Sequence, residues 1–187
     1  MKQNLLKWSI PVLMAVVILS ACKKDKGEGN EEEVITTMIL RFTPVGGGAA
    51  LEYSFDDPDG PGGGAPTKQQ IVLATNTTYN VTVQLLNKTE NPPADITTEV
   101  AAEADAHRFY YEPIAGSNIA VSNLNNDGNG IPLGTTSTWT TTTAATGKVT
   151  VTLRHYAGNP PNKAAADPVN SSKSSTDIEV EFDTSVQ

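Results

Sequence analysis

The chain has 187 residues, with 13 Lys plus Arg against 21 Asp plus Glu, and one cysteine. The acidic balance has the wrong sign for a nucleic-acid binder, which needs a clustered basic surface. One cysteine allows no disulfide within the chain.

Lys2 and Lys7 precede an apolar run from Ile10 to Leu19, which stops at Ser20-Ala21-Cys22. A charged start, a short apolar middle and small residues before the stop make a secretory signal. The run is about half of the roughly 20 residues that cross a bilayer. Pro11 interrupts it, and it lacks the polar face of a core helix. Leu19-Ser20-Ala21-Cys22 resembles the lipobox of bacterial lipoproteins. The resemblance implies cleavage before Cys22, diacylglycerol on its thiol and usually acylation of the new amino group. A lipidated Cys22 also removes thiolate catalysis and cysteine-ligated metal from consideration.

Removing residues 1–21 leaves 166 residues, the size of one domain. Loss of Lys2 and Lys7 leaves 11 basic against 21 acidic residues, a net charge of −10. Such a surface is not drawn to anionic lipid, so the acyl chains have to hold the protein to the membrane. The expected organisation is a signal peptide over 1–21, an acylated cysteine with a charged tether over 22–33, and one β-sandwich domain over 34–187. The tether (Lys23 to Glu33) has no apolar residue to bury. Its charged, partly acidic run resembles the surface-export signal of Bacteroidota lipoproteins; the other reading is a plain solvated spacer. Lys23 after the cysteine is not the aspartate that keeps enterobacterial lipoproteins at the inner membrane, so the expected place is the outer membrane, on the periplasmic side or the cell surface.

From Val34 the pattern is β. Val34, Met38, Leu40 and Phe42 fall on one face of a predicted strand over 34–43. Leu51, Tyr53 and Phe55 alternate with polar residues in a second strand, and the short spacing predicts a hairpin. Asp56-Asp57-Pro58-Asp59-Gly60-Pro61 follows, a loop by its prolines and glycines. Asp56, Asp57 and Asp59 offer oxygen ligands for Ca²⁺, although the distant glutamate of a full calcium loop is absent. Asp-Pro and Asp-Gly are equally ordinary turn formers. Leu73, then Tyr79 opening the alternation Tyr79, Val81, Val83, Leu85, resembles the tyrosine corner of immunoglobulin-like sandwiches. That likeness implies a phenol bonded back to backbone where the chain crosses between sheets.

Asp95 caps a predicted helix over 96–106, with Ile96, Val100 and Ala104 on one side. Glu99, Glu103 and His107 share the other side. Two readings stand for them: a solvated face with His107 near the helix C-terminus, or a divalent-metal set. His107, Phe109 and Tyr111 continue in strand alternation. Strands are predicted at 118–124 and 131–143 around Asn125-Asn126-Asp127-Gly128-Asn129-Gly130, whose turn chemistry is strong and whose oxygens invite a second calcium reading. Val149, Val151, Leu153 and His155 face inward along the next strand. The segment 157–175 is long, polar and proline-bearing, the profile of a mobile or binding loop. The strand at 176–182 closes the fold with an acidic outer face.

No Gly-x-Ser-x-Gly elbow, phosphate-binding glycine motif or His-Glu-x-x-His is present. Catalysis thus has no sequence support, and the expectation is a non-enzyme: an all-β, antiparallel, immunoglobulin-like sandwich with one short helix. It serves as a lipid-anchored binding module for an unknown protein or glycan through loops 56–66, 125–130 and 157–175. No cofactor is expected beyond the calcium reading. One alternative is a haem- or metal-binding lipoprotein that uses His107 and His155 as ligands; a second is a hydrolase whose site the sequence does not display. The chain as a whole resembles a group of short Bacteroidota lipoproteins without assigned activity. The resemblance rests on Leu19-Ser20-Ala21-Cys22, Glu33-Val34-Ile35-Thr36-Thr37, Asn76-Thr77-Thr78-Tyr79, Asp95-Ile96-Thr97 and Val149-Thr150-Val151-Thr152-Leu153-Arg154-His155. Some of that group carry a type 1 periplasmic-binding label. The two-lobed α/β fold it implies does not suit this chain, which lacks alternating β-α units.

Overall fold

A computed structural model describes residues 33–60 and 62–187. The predicted signal peptide, Cys22 and nearly all of the predicted tether lie outside the described residues. Eleven strands and one helix are described: β1 (Thr37–Pro44), β2 (Leu51–Asp56), β3 (Thr67–Lys68), β4 (Ile71–Leu73), β5 (Thr78–Asn87), β6 (Ala94–Asp95), α1 (Ile96–Ala102), β7 (His107–Pro113), β8 (Ile119–Ser122), β9 (Thr136–Thr141), β10 (Ala145–Tyr156) and β11 (Ser174–Val186). One sheet runs β3-β2-β1-β5-β9-β8, with β6 also paired to β5; the other runs β4-β11-β10-β7. All pairs are antiparallel except β4 with β11. The fold is a mostly antiparallel all-β domain of two sheets with one short helix.

The period-2 pattern places the core. Met38, Leu40 and Phe42 of β1, Val81, Val83 and Leu85 of β5, and Trp139 of β9 line the inner face of the first sheet. Phe109, Val149, Val151, Leu153, Val180 and Phe182 line the second, and both faces join in one apolar cluster. Phe42 meets Tyr53, Tyr79 and Trp139 edge-on, with ring centroids 5.1–5.9 Å apart, the arrangement that ring quadrupoles favour. The chain crosses from β4 in one sheet to β5 in the other, and there the Tyr79 hydroxyl accepts the Ala74 N–H at 2.9 Å. The backbone bond implied by a tyrosine corner is therefore present.

The first hairpin forms as expected, with Met38 opposite Phe55 and Leu40 opposite Tyr53. Its first strand starts later than predicted, at Thr37, and Val34 is exposed. The helix has its cap, since the Asp95 carboxylate accepts the Thr97 N–H, but it ends at Ala102 rather than 106. The sheet takes the chain first: the Ala106 carbonyl accepts the Tyr156 N–H, and β7 begins at His107. The strands around 125–130 are also shorter than predicted. The chain between β8 and β9 folds on itself, the Asn125 carbonyl accepting the N–H groups of Leu133 and Gly134.

The segment 157–173, expected as a mobile or binding loop, is held by side chains at several points. Arg108 donates to the carbonyls of Ala164, Ala165 and Asp167, and Tyr110 donates to that of Asp167. Arg154 binds the carbonyl of Ser171. Lys163 is buried, with its ammonium 2.8 Å from Asp127 Oδ2.

Candidate metal site

β7 and β10 are neighbours, and their register sets His107 directly opposite His155. Both side chains lie on the same face of the pair, and the imidazoles stack with centroids 4.6 Å apart and planes 27° apart. His107 is completely buried, whereas His155 is half-buried near the strand end. Glu103, which caps the C-terminal end of α1, is carried to the same place by the short turn into β7. One ligand atom from each of Glu103, His107 and His155 lies within 4.8 Å of the others. Among the described residues these three form the one group of three or more His, Cys, Asp or Glu donors close enough for a metal ion.

The electrostatics suit a ligand. Burial pushes the His107 pKa down to about 4, with His155 and Lys163 adding to the shift; its contact with the Glu103 carbonyl opposes it. The ring is thus neutral near pH 7, the form that binds metal. Nδ1 of His107 lies 3.1 Å from the Glu103 carbonyl oxygen. Its Nε2 and the Nδ1 of His155 are buried without a hydrogen-bond partner.

A further carboxylate sits against this group. Between Leu153 and Arg154 the β10–β11 register shifts, so that Leu153 faces Ile178 while Arg154 faces Thr176. Asp177 is the extra residue of a β-bulge, a device that re-aims a side chain. Its carboxylate is fully buried, with Oδ2 3.7 Å from His107 Nε2. The expectation of an acidic outer face on this strand holds for Glu179 and Glu181, which are exposed, and fails for Asp177.

No family model, no curated protein and no solved structure matches the chain. The reading of the site therefore rests on its own chemistry.

The other predicted ligands are placed differently. Asp56 Oδ1 accepts from Thr37 Oγ1 and from Lys88 Nζ, each at 2.6 Å. Burial raises its pKa, but these two partners outweigh that and hold it below the usual value. Asp59 is held low chiefly by the Gly64 N–H, and Asp57 is raised by burial and by Asp59 beside it. The three aspartates do not converge on a common point with a third donor among the described residues. Asp127, the carboxylate of the second calcium reading, is engaged by Lys163, and its Oδ1 accepts the N–H groups of Asn129 and Ile131. Glu99 lies outside the group although it shares the helical spacing of Glu103 and His107.

Helical spacing pointed to Glu103 and His107, and strand alternation pointed to His155. Register between β7 and β10 brings the two sets together. Asp177 had no signal, because a strict two-residue alternation assigns it to the solvent face. Lys163 had none either, being one lysine in a polar loop.

Proposed function

We propose that this chain is a lipid-anchored, immunoglobulin-like β-domain of the outer membrane that holds a divalent transition-metal ion at Glu103, His107 and His155. The grouping of these three donors within 4.8 Å carries the reading. Imidazole nitrogen with carboxylate oxygen suits zinc, iron, nickel or copper and does not suit calcium, which takes oxygen ligands only. Haem fits the same histidines less well. Axial imidazoles stand at opposite ends of one N–Fe–N axis, whereas these rings lie face to face at 4.6 Å. The immunoglobulin-like part of the reading is supported by the Tyr79 corner, and the anchor by Leu19-Ser20-Ala21-Cys22. Residues 62–70, all exposed, are the part of the described chain best suited to meet a protein or glycan partner, since 157–173 is held against the sheet.

The test is a Zn²⁺ titration of the full-length chain, untagged and carrying Cys22→Ala so that no thiol competes. One equivalent should bind, raising stability by about 2.7 kcal/mol at a hundredfold excess over Kd. His155→Ala, at a half-buried strand end, should fold and lose most of that gain. Absence of any zinc-dependent heat or stabilisation overturns the reading.

A further inference from the structure

Two of the three donors, Glu103 and His107, stand at the ends of one short turn, and a side chain from a distant segment holds that turn. The Ala106 N–H closes it by donating to the Glu103 carbonyl at 2.9 Å. The same carbonyl lies 3.1 Å from His107 Nδ1. A carbonyl only accepts, so Nδ1 carries the ring proton and Nε2 the lone pair. The carbonyls of Ala104 and His107 accept from Lys163 Nζ at 2.6 and 2.9 Å. The third short contact of that ammonium is Asp127 Oδ2 at 2.8 Å, which accounts for its three N–H groups. Lys163 is buried and lies 56 residues from His107 in sequence.

The segment around Lys163 is tied to the site a second way. Arg108 and Arg154, the chain neighbours of the two histidines, stand opposite one another across β7 and β10. Alternation sends them to the face away from the imidazoles. There Arg108 donates to the carbonyls of Ala164 and Ala165, and Arg154 to that of Ser171.

We propose that Lys163 is a positioning residue of the metal site and couples it to segment 157–173, so that ion binding and docking of the segment strengthen each other. The proposal rests on the metal-binding reading above. A turn already held by a buried ammonium loses less freedom when its two donors meet an ion. By reciprocity the ion, in fixing Glu103 and His107, fixes the carbonyls that hold Lys163. A bare ammonium so close would repel a cation, and Asp127 at 2.8 Å balances its charge.

The experiment uses the full-length, untagged Cys22→Ala chain and Zn²⁺. Lys163→Met combined with Asp127→Asn removes the grip on the turn without leaving a stranded buried charge. In that double variant Zn²⁺ affinity should fall about ten- to a hundredfold, while the near-ultraviolet dichroism of buried Trp139 stays native. A folded double variant that binds Zn²⁺ as tightly as the parent overturns the positioning role and leaves the three-residue site standing. Should the variant fail to fold, hydrogen exchange in the parent chain decides the matter. The Ala164 N–H donates to Asp167 Oδ2 and the Asp167 N–H to the Ala164 carbonyl. Zn²⁺ should slow both, and leave unchanged the Gly64 N–H, which Asp59 holds in another loop. Equal rates at Ala164 and Asp167 with and without Zn²⁺ overturn the coupling. A parent chain that binds no Zn²⁺ overturns the metal reading, a result distinct from these.

Discussion

Two buried pairs of titratable side chains flank the same few residues of backbone, and they are completed to different degrees. Lys163 and Asp127 are both about 1 % exposed and 2.8 Å apart. The ammonium also donates to the carbonyls of Ala104 at 2.6 Å and His107 at 2.9 Å, and Asp127 accepts two backbone N–H groups on its other oxygen. His107 and Asp177 are buried as deeply, yet their facing atoms stand 3.7 Å apart and His107 Nε2 has no hydrogen bond. A buried charge held 2.8 Å from its counter-charge, with further bonds to backbone, is a structural device. The His107 ring instead keeps a lone pair buried beside a carboxylate, with no hydrogen bond on Nε2. The complete pair also serves the incomplete one, since Lys163 grips the carbonyls of Ala104 and His107, between which the chain passes from Glu103 into β7.

Breaking the complete pair should have the largest effect. Lys163→Met leaves the Asp127 carboxylate buried without its counter-charge, and losing one partner of such a pair costs about 3–5 kcal/mol. Urea unfolding of the metal-free chain measures it. Adding Asp127→Asn removes the stranded charge while keeping an acceptor for Asn129 and Ile131, and should recover part of the loss. A cost below about 1 kcal/mol for Lys163→Met would mean that the pair is no clamp, and the contrast would collapse.

Acid should separate the pairs next. The His107 pKa falls from 6.5 to about 4 on folding, chiefly through burial. Between those values the unfolded chain binds a proton that the folded chain refuses. Stability of the metal-free protein therefore drops as pH falls from 6.5 toward 4, by on the order of 3 kcal/mol from this group, and levels off below. Asp127 behaves oppositely in position. Burial pushes it up, but Lys163 and the two N–H groups hold its pKa below 3.8. Its contribution is intact above the unfolded value and is lost only as pH falls through the lower folded one. Imidazole NMR with chelator present should place the His107 transition near 4. A transition near 6.5 would show that the ring is hydrated, removing the basis of the comparison.

Much of this architecture was legible from alternation. Tyr79, Val81, Val83 and Leu85, and Val149, Val151 and Leu153, are all buried where a period of two puts them, because one face of each strand must leave water. His155 follows the same rule and was found by it. What alternation cannot carry is register. That His155 pairs with His107 across 48 residues depends on how β7 docks on β10, and the bulge that turns Asp177 inward breaks the very rule used to read β11. Lys163 was hidden for a related reason. A polar loop of nineteen residues, 157–175, reads as mobile, since its partners (Asp127 and carbonyls on a helix end, a strand and another loop) are distant in sequence.

The smallest effect, and the most discriminating, is expected from Asp177→Asn in the absence of metal. If the carboxylate were there for stability, its loss would resemble that of Lys163 and cost several kcal/mol. If its contact with His107 is as loose as 3.7 Å implies, the amide should do at least as well. An asparagine is neutral, of nearly the same shape, and can turn an N–H toward the lone pair on His107 Nε2, closing a hydrogen bond that the native pair does not make. Metal-free stability should then change by less than about 1 kcal/mol, with a slight gain the favoured sign, because the neutral amide brings no buried charge. A loss as large as that of Lys163→Met would make the two pairs alike, and both would have to be read as scaffolding.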